Sequence, residues 1–597
     1  MNKRYRFIQR SGITALLLLV AAGAALAEPT ANPNDPIYRA IERWTVQGLV
    51  DRVPVMRPYP REELVALLED VARSAGPGDA QIAQAALDRM TPREGRSVAV
   101  RPFVEGRLYT RDDEVQPKGG IAADIGGQFS QTLSYGAQAG FFAIDRGDED
   151  LLPYGERATD DVLEDNAKVS VAGRDIYTLM QINAQTTFAW DDLWIQTGIY
   201  RRSYGPFHTD SPVISSLAPQ AANLILQYDR GMFRYTGTLS SHTATRRFRE
   251  ITDPESSRNV DVNEDGILDF EDRPQQAPGK NLFIHSFGFR PWSWLDVSIF
   301  EAVVYGPRFE LSYLVPLKFM WHAQGTVAFA DNSLIGLAAD IRPVPGLRIP
   351  LTIYVDDASF NDLAQFNFNT KYKMATSTAV QWAPGGRFAP LLEASYETVF
   401  PYMYTHASLD PYTTEPNYNN YLHQDTSIGN GLLPNSDRSR LTASIRPAGW
   451  LELEFMGALI RHANASDGNL DQFLNDGGYG DNGREGEFFT DATETDLGNS
   501  DDVEWARGEL TFNDGFLFMQ QDDIEHRYQA GIRGDITAGL GDRAAVHIGL
   551  GYTFEYVQQP ISYVWTNDGT GNGGGGETVV GDDEVNHYGE IEVRFSY

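Results

Sequence analysis

The feature that most narrows what this chain can become is a two-residue period that begins just after residue 97 and persists to the last residue. Phe103, Glu105, Arg107 and Tyr109 fall on alternate positions, as do Ile176, Thr178, Met180, Ile182, Ala184, Thr186 and Phe188. The same alternation runs from Leu451 to Leu459, from Val546 to Tyr556, and through Ile591, Val593, Phe595 and Tyr597. Successive side chains of a strand point to opposite faces. Runs of about ten residues that alternate in this way, separated by turn residues, are the pattern of a transmembrane β-barrel whose lipid-facing and lumen-facing positions interleave. Only one face then has to be apolar, so a membrane wall is compatible with 42% hydrophobic and 22% charged residues. After the first thirty residues there is no uninterrupted apolar run of the length, about 18 residues, that a membrane helix requires.

The connections carry a second signal, because short and long ones alternate. Short ones fall at Asp191-Asp192, Pro291-Trp292-Ser293, Pro343-Val344-Pro345-Gly346, Pro384-Gly385-Gly386, Pro447-Ala448-Gly449 and Gly541-Asp542-Arg543. Long ones occupy Ala244 to Lys280, Pro401 to Arg438, Ala463 to Asp502 and Gln558 to Asp583. Outer-membrane barrels have short periplasmic turns and long external loops, which orients the chain and puts both ends of the barrel in the periplasm. Six of the ten Trp residues, Trp190, Trp194, Trp292, Trp294, Trp382 and Trp450, flank the short turns, as an inner interfacial girdle requires. The terminal Val593-Arg594-Phe595-Ser596-Tyr597 has the form of a last strand read by the barrel assembly machinery. The spacing predicts an all-β barrel of about 18 antiparallel strands (roughly 16–20), wide enough for an aqueous lumen unless it is filled.

Ahead of the barrel, Lys3, Arg4, Arg6 and Arg10 precede an apolar stretch from Ile13 to Ala25 and the small-residue site Ala25-Leu26-Ala27. This is a secretory signal, cleaved after Ala27. Residues 28–97 read as a helical periplasmic module and linker, and 98–597 as the barrel. Asp35 caps a first helix with Pro36 in its first turn, Ile37, Ile41 and Trp44 on one face, and Gly48 as the stop. Further helices are expected over Arg61 to Ala75 and Asp79 to Met90. The pattern Gly48-Leu49-Val50 followed by Pro60-Arg61-Glu62 is loosely similar to surface-layer-homology repeats, which would imply binding to peptidoglycan; the plainer expectation is a plug or cap on the barrel.

Composition removes whole classes of function. A formal charge of −33 makes nucleic acid an improbable partner. The absence of Cys removes disulfides, thiolate metal sites and Cys nucleophiles. Neither a Gly-x-Ser-x-Gly elbow nor a His-Glu-x-x-His helix is present, and the ten His residues are dispersed, so no enzyme activity is expected. Outer-membrane lipid and lipopolysaccharide are the partners the exterior implies.

Two external segments carry chemistry of their own. Residues 261–272 fit a twelve-residue calcium loop: Asp261, Asn263 and Asp265 supply oxygens at positions 1, 3 and 5, and Gly266 makes the sharp turn. Ile267 offers its carbonyl, and Asp269 and Asp272 supply carboxylates at 9 and 12. Prolines at 254, 274 and 278 deny it flanking helices, so a structural Ca²⁺ that stiffens one loop is expected rather than a sensor. The second segment collects Tyr402, Tyr404, His406, Tyr412, Tyr418, Tyr421 and His423, together with Asn419 and Asn420. Aromatic faces and hydrogen-bonding groups of this kind suit a glycan surface; ordinary girdle and loop packing would use the same residues. Glu301, Glu310, Asp356 and Asp357 are read as acids within the barrel, and 42 Arg against 7 Lys suit persistent lumen ion pairs or bidentate recognition of acidic sugars. From Ala463 to Glu504 twelve acids face a single Arg484, a solvated surface able to hold diffuse divalent cations.

One stretch resembles a known family. His285-Ser286-Phe287-Gly288-Phe289-Arg290-Pro291-Trp292-Ser293-Trp294-Leu295 runs into Phe300-Glu301-Ala302-Val303-Val304-Tyr305-Gly306 and then Leu311-Ser312-Tyr313-Leu314-Val315-Pro316-Leu317. This is similar to the capsule assembly Wzi family of outer-membrane proteins, in which a strand, tight turn and returning strand end in Glu-Ala-x-x-Tyr-Gly, followed by Tyr-Leu-x-Pro. Weaker similarity lies at 198–206, 353–357, 396–406 and at Arg461-His462. The resemblance implies an 18-stranded barrel with a periplasmic helical bundle, acting as a surface lectin for capsular polysaccharide. The rival expectation is a porin or polysaccharide-export channel of the same fold.

Overall fold

The computed structural model describes residues 32–90, 98–112, 114–130, 132–145, 151–156, 167–171, 174–207, 210–243, 279–316, 318–325, 331–358, 372–386, 388–400, 403–404, 418–423, 426–464, 523–540, 544–566 and 575–596. Residues 1–31, where the secretory signal is expected, the calcium-type loop 261–272 and the acidic stretch 465–504 lie outside them.

Eighteen antiparallel strands close into a barrel. In chain order they are β1 (Val98–Arg111), β2 (Glu114–Gln128), β3 (Leu133–Asp145), β4 (Arg174–Trp190), β5 (Leu193–Tyr200), β6 (Ala221–Arg230), β7 (Phe233–Thr243), β8 (Gly279–Trp292) and β9 (Leu295–Tyr305). The second half comprises β10 (Asn332–Val344), β11 (Leu347–Ala358), β12 (Tyr372–Trp382), β13 (Leu391–Val399), β14 (Ser436–Ala448), β15 (Leu451–Asn464), β16 (Asp523–Leu540), β17 (Ala544–Gln558) and β18 (Glu584–Ser596). Each pairs with its neighbours in sequence, and the ring is sealed by β1 on β18, with Phe103 opposite Ser596 and Arg111 opposite Tyr588. A short strand, Ala167–Val171, fills the edge of β4 beyond the reach of β5.

Alternation sorts the side chains between two surfaces. On β6, Ala221, Asn223, Ile225 and Gln227 are buried inside the ring, whereas Leu224, Leu226 and Tyr228 are 46%, 36% and 40% exposed. Ile299 of β9, Leu441 of β14 and Ile591 of β18 are likewise exposed, while Thr236, Ser240, Ser377, Gln381 and Glu555 are buried. An apolar exterior around an interior that buries many polar side chains departs from the plan of a water-soluble barrel and matches a wall surrounded by acyl chains. This is a barrel of the outer-membrane type.

The turns at one end are short: 191–192, 231–232, 293–294, 345–346 and 449–450. The connections at the other end are long, except where residues 112–113 join β1 to β2. Five of the six Trp residues beside the short turns form the expected girdle, with Trp190, Trp292, Trp294, Trp382 and Trp450 all exposed and the rings of Trp292 and Trp294 stacked 5.2 Å apart. Trp194 departs from it. It shares a parity with the fully buried Gln196 and turns into the lumen, leaving it 3% exposed.

The N-terminal module enters the short-turn mouth. Helix α1 (Pro36–Gln47) is capped by the Asp35 carboxylate, which accepts from the Ile37 amide at 2.9 Å, and ends at Gly48 in the left-handed region (φ 78°). Helices α2 (Arg61–Ser74) and α3 (Pro77–Met90) pack on it through Ile41, Trp44, Leu64, Leu68, Val71, Ala83 and Ala86. The bundle therefore has its own apolar core.

Candidate functional site: a filled lumen

The bundle is fastened around much of the mouth. Arg43 of α1 donates to Glu452 of β15 at 2.7 Å and to Ser444 of β14 at 2.8 Å, and Arg39 reaches Glu454 at 3.1 Å. Glu42 accepts from Arg348 of β11 at 3.4 Å and from Gln381 of β12 at 3.0 Å. Beyond the helix, Asp51 receives two bonds from Arg290 of β8 at 2.9 and 2.5 Å, and Arg52 bridges Asp229 of β6 and Asp296 of β9 at 2.5 and 3.3 Å. Burial pulls the Arg43 guanidinium down to about 10, with the Arg446 charge adding to the shift and Glu452 opposing it. The Arg290 hydrogen bond holds the Asp51 carboxyl below the ordinary aspartate range.

Above the bundle the lumen is packed. Residues Met56–Arg57 pair with Ser203–Tyr204, which bridge to Ile214; the Ser215 amide then donates to the Ile428 carbonyl at 2.9 Å. The chain between β5 and β6 thus folds inward and joins the module to the segment after β13. Arg348 from the wall donates to the Pro206 carbonyl at 2.7 Å, and the Tyr204 hydroxyl donates to Ser286 at 2.8 Å. One continuous apolar core results. Met56, Tyr204, Val213, Ile214, Met403, Tyr404, Tyr421, Ile428 and Leu432 meet wall side chains from β5 to β15, among them Tyr200, Phe300, Leu334, Tyr354, Val399 and Ile460.

The glycan-type aromatic set divides on this core. Tyr402, His406 and Tyr412 lie outside the described residues. Tyr404 and Tyr421 are fully buried, stacked on each other at 5.6 Å with Tyr354 edge-on at the same distance. Their hydroxyls donate to the Pro212 and Val213 carbonyls, each at 2.7 Å, so both rings and both hydroxyls are engaged inside the protein. Tyr418 lies against Gly306. His423 accepts from the Thr243 amide at 3.1 Å and donates to the Gln220 carbonyl at 2.9 Å. Burial drives its pKa down to about 4, partly opposed by that carbonyl.

The rest of the lumen is polar. Arg438 binds Asp210 at 3.0 Å as well as Glu397, and Arg527 binds Glu525 and Glu555, the latter at 3.2 Å. Arg533 spans Asp535 at 3.1 Å, Glu592 at 3.5 Å and Glu590, while Arg594 holds Asp124 at 3.0 Å. The residue type expected to fill a lumen with ion pairs does so. Between these strands and the inward residues 151–156 remains a cavity of about 150 Å³, lined by Tyr109, Glu156, Arg440, Glu454, Arg533 and Glu590. Among the described residues no group of three or more His, Asp or Glu is placed to hold a metal.

Of the acids read as lying within the barrel, Asp356 belongs to the inward-facing set with Tyr354, and Glu310 sits in the connection after β9. Glu301 is a correction. It shares its parity with the 51%-exposed Ile299, points outward from the wall, and pairs with His285 at 2.9 Å. The lumen loops themselves carried no sequence signal beyond their length, since their inward fold is decided by tertiary packing.

No family model and no curated protein sequence matches this chain. Among solved structures, one similar fold is Wzi of Escherichia coli, described as an outer-membrane protein involved in group 1 capsule assembly and a carbohydrate-binding β-barrel. It is 10% identical, with a TM-score of 0.48 over 96% of this chain and 99% of that one. The Pseudomonas aeruginosa proteins OccD3 and OprD align at TM-scores of 0.39 and 0.36 with 10% and 9% identity. Each covers 84% of this chain, and 91% and 95% of their own lengths are matched. At these identities the likeness concerns fold alone.

Proposed function

We propose that this outer-membrane barrel binds and retains capsular or exopolysaccharide at the cell surface, acting as an anchor rather than a conduit. The observation that carries the reading is the filled lumen: a bundle bolted into the periplasmic mouth, and above it an apolar core built from the inward segments 203–215 and 418–432. A diffusion channel needs a continuous wetted path, and this interior devotes its volume to packing. The work then falls to the external connections, which are long, and the sequence resemblance to the capsule assembly family runs from His285 in the wall into the connection after β9. In this proposal Tyr402, His406 and Tyr412 supply the sugar-stacking and hydrogen-bonding groups, while Tyr404, Tyr421 and His423 fix the base of the same loop. Ca²⁺ at Asp261, Asn263, Asp265, Ile267, Asp269 and Asp272 stiffens a neighbouring loop. The bundle acts as a plug, since Arg39, Glu42, Arg43 and Asp79 form salt bridges with the barrel wall.

A porin or export channel is the second reading, favoured by the Arg- and Glu-lined cavity on the β14–β18 side. Planar-bilayer recording on the full-length protein separates the two. A silent barrel that co-sediments purified surface polysaccharide supports the anchor, and a steady open conductance without polysaccharide binding overturns it. In cells, loss of the gene leaves polymer secreted but detached.

A further inference from the structure

The connection from β9 to β10 leaves the long-loop end of the barrel, yet its Tyr313, Leu314, Met320 and Ala323 lie against the outside of the wall. Phe283, Val303 and Tyr305, all of outward parity, are 5%, 0% and 2% exposed, because Tyr313, Met320 and Ala323 of this connection cover them. A five-residue helix, Met320–Gln324, sits there, and Gln324 accepts from Ser333 of β10 at 3.0 Å. Beneath it Glu301 receives both His285 Nε2 at 2.9 Å and the Met320 amide at 3.0 Å. Tyr313 donates to Asp331 at 2.5 Å, which also holds Arg308.

The height of that pair decides what surrounds it. His285 stands seven residues along β8 from Trp292 of the inner girdle. At about 3.4 Å per residue and a strand tilt of about 40°, that is about 18 Å above the girdle, inside an apolar band about 25 Å tall. A hydrogen-bonded His–Glu pair on the lipid face of a barrel would be costly uncovered. The connection covers it. Its own outward side is apolar: Phe309, Leu311, Val315 and Phe319 are 72%, 65%, 48% and 66% exposed. They extend the belt to which the 51%-exposed Ile299 belongs.

We infer that residues 308–316 and 318–325 form a flap embedded in the outer leaflet, with Phe309, Leu311, Val315 and Phe319 in contact with acyl chains and the His285–Glu301 pair sealed between flap and wall. The occupant is the lipid of the surrounding leaflet, identified by continuity with the barrel's own lipid-facing belt. The inference rests on the membrane placement of the barrel and is independent of the polysaccharide reading.

The chain has no Cys, so single-Cys variants of the full-length protein carry a nitroxide cleanly. Phe309→Cys, Leu311→Cys and Phe319→Cys are compared in phosphatidylcholine vesicles with Ile299→Cys on the wall and Asp582→Cys on an exposed external segment. The readout is the ratio of collision with oxygen to collision with a water-soluble nickel chelate. Flap labels whose ratio is several-fold above the Asp582 label and close to the Ile299 label support the inference. Flap labels nearer to Asp582 overturn it, and an Ile299 label that behaves like Asp582 overturns the membrane placement along with it.

Discussion

Arg43 Nη2 lies 2.7 Å from Glu452 Oε1, and the arginine side chain that makes this contact is wholly shielded from solvent. It is the point where the first helix is fixed to the fifteenth strand. Glu452 keeps Arg446 at 3.0 Å when Arg43 is removed, so the loss is that of a charged hydrogen bond rather than of an orphaned buried carboxylate. Arg43→Met is expected to weaken docking of the bundle by about 2 kcal/mol, roughly thirtyfold in the undocked population. Limited proteolysis of the detergent-solubilised protein, read as the rate of release of residues 32–90, measures it.

Loosening the plug does not open a pore. A triple variant, Arg43→Met with Asp51→Ala and Arg52→Ala, is expected to show no steady conductance in planar bilayers, because the core around Tyr204, Tyr404 and Tyr421 and the ion pairs of Arg438, Arg527 and Arg533 still occupy the lumen. A stable open level in this variant would show that the bundle alone occludes the lumen.

Acid is expected to loosen the inward segment around His423. Its folded pKa, lowered to about 4 by burial, lies below the ordinary histidine value near 6.5, so the unfolded segment takes up a proton more readily. The stability is therefore complete above about pH 6.5 and is lost as pH falls through about 4. Amide protection over 418–423 and 426–432, taken as the exchange rate corrected for the intrinsic slowing of exchange in acid, should fall between pH 7 and 4. His423→Gln should flatten that dependence.

The calcium loop gives a prediction with a built-in control. Asp261→Ala combined with Asp265→Ala should lower the melting temperature in millimolar Ca²⁺ and leave it unchanged in chelator. Equal melting shifts in both conditions would remove the site.

Much of the architecture is written in local rules. Asp35 and Gly48 bound α1 because a carboxylate can cap free amides and glycine can turn left-handed, both decided within a few residues. Strand number follows from spacing, and parity assigns faces: Gln196 betrays the inward turn of Trp194, and Ile299 with Val303 betrays the outward turn of Glu301. Neighbouring parity was the available signal for both, and the family-like Glu-Ala motif and the turn-flanking position of Trp194 pulled the other way. The fates of Tyr404 and Tyr421 were not legible. The same residues that would stack on a sugar stack on each other once segments from 203–215 and 418–432 meet, and that meeting is set by contacts between residues some 200 positions apart, as in Tyr421 to Val213. The flap after β9 is equally a tertiary decision, taken when Tyr313 and Met320 find Phe283 and Val303.

The seam between β1 and β18 has a consequence for biogenesis. The ring joins its earliest strand to its latest, so the wall stays an open sheet until the final hairpin is delivered. The bundle, tethered just ahead of β1 and holding its own hydrophobic centre, touches strands from β6 round to β15. The ties of the bundle to the wall described above all lie on strands that precede the closing hairpin, so none of these fastenings depends on the seam.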